Sequence, residues 1–120
     1  IDDFFMVKGK FYFRVDKLEE YHKKNIQRTE ISMNLNIGPL FIDNTNCQIR
    51  GFLPYKKLGQ KYKYWVEIVE PDYNEKAFDI DYLVDINTKR QDIRKNVPKK
   101  TIQGFINKYQ ENKFKKKFKI

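Results

Sequence analysis

At 120 residues and 14.7 kDa the chain has room for one hydrophobic core with appendages. A hydrophobic fraction of 40% with 16% aromatics excludes a disordered chain, and 34% charge with a mean hydropathy of −0.80 excludes a membrane protein. One cysteine, Cys47, and one histidine, His22, leave no internal disulfide, no thiolate zinc cluster and few histidine-based sites.

The net charge of +9 is unevenly placed. Residues 1–93 hold 15 basic and 15 acidic residues, whereas residues 94–120 hold ten basic residues and one acidic residue, Glu111. A neutral body with a basic arm is the asymmetry expected of a chain that attaches to a polyanion, because each cation near a phosphate releases condensed counterions.

In chain order, residues 4–15 are aromatic and β-branched with Lys8, Lys10 and Arg14 interleaved, which predicts a strand or hairpin. Residues 16–25 open with Asp16 as a candidate N-cap and Glu19 at capping-box spacing, which predicts a short helix. Ile31, Met33, Leu35 and Ile37 alternate with polar residues, the period of a half-buried strand. Further strands are expected at Leu40–Ile42, Cys47–Leu53, Lys61–Val69 and Phe78–Tyr82, with turns at residues 43–46 and 71–74. In the last strand Asp79 and Asp81 point outward as a solvated edge. Ile102, Phe105, Ile106 and Tyr109 fall at i, i+3, i+4 and i+7, which predicts a helix over about 98–112 with a basic amphipathic tail through Phe114 and Phe118. Trp65 is expected to pack beneath that helix or the N-terminal hairpin, Cys47 to be a small buried hydrophobe and His22 a solvated helix residue.

Gly38, Leu40 to Asp43, Arg50 to Pro54, Leu58 to Gln60 and Val66 to Asp72 together resemble the S1-type RNA-binding domain, in particular repeats of bacterial and plastid ribosomal protein S1. The resemblance implies a five-stranded S1-like OB barrel over residues 26–85, in agreement with the five short strands read above, so a mainly β chain is expected; outside the family pattern, the residues themselves predict a strand-helix extension at 1–25 and a linker with a basic amphipathic helix at 86–120. Ile37 and Leu40 stand where the family presents RNA-facing aromatics, Pro54 where it often has histidine, and Lys56 where it has a small polar residue. The stacking platform is therefore depleted and phosphate contact favoured.

The expected function is a non-enzymatic RNA-binding protein, ribosomal or ribosome-associated, in an organelle (mitochondrion or plastid), with the cytoplasm as alternative. Its partners are rRNA or mRNA and other subunits of a ribonucleoprotein complex, with no membrane and no small-molecule substrate. The RNA-binding residues are Arg50, Phe52, Tyr55, Lys56 and Lys57 on the barrel rim, and Lys99, Lys100, Lys113, Lys115, Lys116, Lys117 and Lys119 on the arm. No catalytic residue, metal or cofactor is expected. The competing class is an OB-fold scaffold subunit that docks proteins, and a third is an accessory domain of an RNA-processing enzyme.

Overall fold

The computed structural model describes residues 1–70, 75–90 and 92–115. Four helices carry most of it: α1 Leu18–Asn34, α2 Ile49–Lys61, α3 Ile80–Thr88 and α4 Lys99–Lys115. Strand pairing among the described residues is confined to β1 Met6–Val7 and β2 Lys10–Phe11. The five-stranded S1-like OB barrel is thus overturned, and with it the S1 reading: three of its five strands are occupied by helix. The chain divides into two compact units, Ile1–Glu67 and Ile68–Lys119.

In the first unit, β1 and β2 form the hairpin expected from residues 4–15. Lys8 and Gly9 both have positive φ, 50° and 77°, the two-residue turn whose twist matches that of paired strands. The hairpin closes over α1 through aromatic rings. Phe5 is 3% exposed and meets Phe11, Phe13 and Tyr21 at centroid distances of 5.8, 5.2 and 4.8 Å, while Phe4 lies 5.3 Å from Tyr21.

Helix α1 begins near the expected site without the expected cap. Asp16 lies in a 3-10 turn, Val15–Lys17, and accepts from Arg14 at 2.7 Å. The helix then runs through Ile31 and Met33, where alternation predicts a strand. Its buried positions, Asn25, Thr29 and Met33, are spaced four apart, and two of them are polar. A helical face built of Asn and Thr carries no apolar 3.6-residue signal, so the incidental alternation of Ile31 to Ile37 stands out instead. Asn36 ends the helix at φ 56°: its N–H donates to the Met33 carbonyl and that of Ile37 to the Ser32 carbonyl, both at 3.0 Å, the double bond of a Schellman cap.

Helix α2 occupies the stretch expected to be a strand and a barrel rim. Its buried residues, Tyr55 and Gly59, are four apart, and Pro54, expected to end a strand, is inside the helix. The two helices of this unit are joined by a polar relay. Arg28 donates twice to Asp3, at 2.6 and 3.1 Å, and its Nε donates to Asn25 Oδ1 at 2.7 Å. The Asn25 amide in turn donates to the Tyr55 hydroxyl at 2.8 Å, inside the α1–α2 contact. Arg28 also lies over the Phe4 ring, 4.4 Å from its centroid.

After α2 the chain folds back on it. Lys63 takes φ 60°, Tyr64 N–H donates to the Gly59 carbonyl at 2.8 Å, and the Tyr64 hydroxyl donates to the Ile37 carbonyl at 2.8 Å. Val66 then packs against Gly59, where an added Cβ would strike its methyl group.

In the second unit the stretch Phe78–Tyr82, expected as a strand, instead closes a 3-10 turn at Phe78 and opens α3 at Ile80. Asp79 is its N-cap, accepting from the N–H groups of Asp81 and Tyr82 at 3.1 and 3.2 Å, so it caps a helix rather than lining a sheet edge. Helix α4 follows the sequence expectation, with Ile106 buried and Tyr109 stacked on Phe78 at 5.5 Å. Asn87 ties the intervening loop by donating to the Val97 carbonyl at 2.7 Å and accepting from the Val97 N–H at 3.0 Å. The turn expected at residues 71–74 lies outside the described residues.

This packing sets two stability outcomes. Tyr55→Phe leaves the buried Asn25 amide without its acceptor and costs about 1–2 kcal/mol in denaturant unfolding. Gly59→Ala destabilises by about 1–3 kcal/mol through overpacking against Val66, although helix propensity alone would favour alanine. Gly51, with nothing within 4 Å of an added Cβ, is the control, and Gly51→Ala stabilises by up to about 1 kcal/mol.

Candidate nucleic-acid interface

Helix α2 carries Arg50, Lys56, Lys57 and Lys61 and no acidic residue. Arg50, Lys57 and Lys61 fall at i, i+7 and i+11, which brings them to one face, and all three are exposed. Arg50 is steadied by its own Nε, which donates to Gln48 Oε1 at 3.0 Å. Lys61 lies 3.7 Å from Glu30 and 5.2 Å from the Tyr62 ring centroid. Lys57 has no acidic partner among the described residues. This face has the form of a phosphate-tracking stripe: three cations about one and two helical turns apart, with one carboxylate at its end.

The sequence-predicted rim residues are therefore regrouped. Arg50 and Lys57 share the exposed stripe, Lys56 is half-buried beside it, and Phe52 is half-buried. Tyr55 is 7% exposed and bonded to Asn25, so its ring belongs to the α1–α2 packing and offers no face to a base. Trp65, expected to be packed, is 91% exposed. Cys47 and His22 are both half-buried.

On the second unit Lys99 and Lys100 are exposed in the first turn of α4. Lys99 sits 3.8 Å from Asp81, at the start of α3. Lys99 and Lys100, with Gln103, Gly104 and Asn107, line a shallow open depression. Gly104, which weakens the helix by about 1 kcal/mol relative to alanine, leaves the backbone uncovered there, with open space where a side chain would project. Gln103 donates to Asn107 across it at 2.9 Å. Lys113 and Lys115 are on the last turn of α4, and Lys116, Lys117 and Lys119 lie outside the described residues.

Among the described residues no group of three His, Cys, Asp or Glu side chains could hold a metal ion. No helix there is long and apolar enough to cross a membrane. The marked electrostatic pair is structural. Hydrogen bonding from Arg28 holds the Asp3 carboxyl below its usual range against a smaller desolvation cost, and Asp3 raises Arg28 in return. A lowered carboxylate pKa gives stability that is full above its unfolded value of about 3.9 and is lost as pH falls through the folded one. Asp3→Asn is accordingly less stable than the parent at pH 7, and the difference closes on acidification below about pH 4, read by thermal unfolding at a series of pH values.

The chain is 42% identical over 71 residues to NEDD4-binding protein 2 of Homo sapiens; the match takes in 59% of this chain and 4% of that protein. No family model matches the chain, and no solved structure matches it.

Proposed function

We propose that this chain is a nucleic-acid-binding segment, with RNA as its ligand, that holds phosphates rather than reading bases. The observation that carries this reading is the α2 stripe, where Arg50, Lys57 and Lys61 share an exposed face on a helix without acidic residues. Lys99 and Lys100 on α4, and the lysines that follow at 113, 115, 116, 117 and 119, supply further phosphate contacts. With Tyr55 buried and Phe52 half-buried, α2 has little aromatic surface for stacking, so binding is tolerant of sequence and steeply dependent on salt. The ribosomal and organellar expectation rested on the S1 resemblance and has no support left without the barrel.

A second reading is favoured by the similarity to a protein named for binding NEDD4. In that reading the same stretch docks a protein, and the basic stripe complements an acidic partner surface.

Fluorescence anisotropy with a labelled single-stranded RNA, repeated across salt concentrations, separates the two. The RNA reading expects the triple variant R50E/K57E/K61E to weaken binding and to reduce the slope of log affinity against log salt by about 0.7 for each phosphate no longer neutralised, about 2 in all. An unaltered slope, together with binding to purified NEDD4 that the same variant abolishes, would overturn it in favour of protein docking.

A further inference from the structure

Helix α4 turns Ile106 inward and leaves an outward row in which Lys100, Gly104 and Lys108 follow one another at i, i+4 and i+8. Lys100 and Lys108 are exposed, stand about 12 Å apart along the axis and have no acidic partner among the described residues. Between them the helix is bare: a Cβ at Gly104 would meet nothing within 4 Å. Packing therefore does not require this glycine, which weakens a helix relative to alanine. Its missing side chain instead opens the depression lined by Lys99, Lys100, Gln103 and Asn107. Beside the glycine, Gln103 gives one amide hydrogen to Asn107 Oδ1 at 2.9 Å. That bond holds the two amides side by side. Among the described residues it leaves a carbonyl acceptor, Gln103 Oε1, and the donors of Asn107 Nδ2 without partners.

We propose that this depression is a ribose subsite for RNA: Lys100 and Lys108 hold phosphates on either side, and the Gln103–Asn107 amide pair meets the 2′-hydroxyl of a sugar lying over Gly104. The chemistry selects that ligand. A phosphate oxygen only accepts, so it satisfies the lysines and leaves Gln103 Oε1 without a donor. A 2′-hydroxyl donates and accepts, which matches an amide pair offering one of each, and a deoxyribose has no such group. The glycine supplies the close approach, since a side chain there would project into the space the sugar takes. No aromatic ring lines the depression, so bases are not stacked there and the preference is for the sugar, not the sequence. This subsite presupposes the RNA reading above and gives the chain a means of telling RNA from DNA. One or two exposed hydrogen bonds set the size of that preference at about three- to tenfold.

The test is fluorescence anisotropy of the 120-residue chain with labelled single strands of one uracil-containing sequence, as RNA, as its 2′-deoxy form and as its 2′-O-methyl form. RNA is expected to bind about three- to tenfold more tightly than either modified strand. Q103A/N107A should bring the RNA and deoxy affinities together without changing the slope of log affinity against log salt, because no charge is removed. Gly104→Leu should weaken RNA binding, and K100Q/K108Q should flatten the salt slope on RNA and DNA alike. Far-ultraviolet circular dichroism confirms that each variant stays folded. Equal affinity of the parent for RNA and its deoxy form, or a preference that Q103A/N107A leaves in place, would overturn the proposal. If R50E/K57E/K61E still lowers the salt slope in that case, the phosphate reading of α2 stands and the ribose subsite alone falls. No binding of any strand overturns both.

Discussion

Asn25 sits inside the contact of α1 with α2 at 7% exposure, with both ends of its amide engaged. A buried amide without partners is costly, so this side chain fits only where Arg28 donates to its oxygen and the Tyr55 hydroxyl accepts from its nitrogen. Those two requirements fix more than a local bond. Arg28 is one turn along α1, and its guanidinium reaches on to Asp3, so the same relay ties the N-terminal segment to α1 and α1 to α2. Apolar packing supplies area through Phe5, Phe11 and Met33, but such contacts tolerate sliding; the relay accepts one register. Thr29, the other buried polar residue, satisfies its own hydroxyl by donating to the Asn25 carbonyl at 2.7 Å.

The basic stripe proposed to hold phosphates depends on the same constraint. Tyr55 is turned inward to meet Asn25, which orients α2 and leaves Arg50, Lys57 and Lys61 on an exposed face. Had Tyr55 been free, α2 would present an aromatic ring among cations, the composition of a base-stacking site. With it buried, the helix presents charge alone. The residue that stabilises the unit thereby also narrows what the helix can recognise.

How much of each element is legible in the sequence depends on how that element buries its inner face. Helix α4 is legible because Ile102, Phe105, Ile106 and Tyr109 are apolar at helical spacing, and the hairpin because aromatic residues flank Lys8-Gly9. Helix α1 is legible only at its start, since Asn25 and Thr29 write its buried face in polar residues. In α2 the helical spacing of Phe52, Tyr55 and Gly59 is present but outweighed by an order of short motifs that suits a barrel, with Pro54 pointing the same way. In α3, Asp79 reads as an edge carboxylate, although its place before Ile80 makes it a cap. The basic residues are legible as charge; that Arg50, Lys57 and Lys61 form one stripe requires knowing that the segment is helical.

The most direct measurement is an isotope-filtered nuclear Overhauser experiment on the labelled chain. The account predicts cross-peaks between the Asn25 side-chain amide and the Tyr55 ring, together with the i to i+3 backbone contacts of a continuous helix through Ile31 to Asn34. Cross-strand backbone contacts at residues 31–37, with no Asn25 to Tyr55 peak, would contradict it.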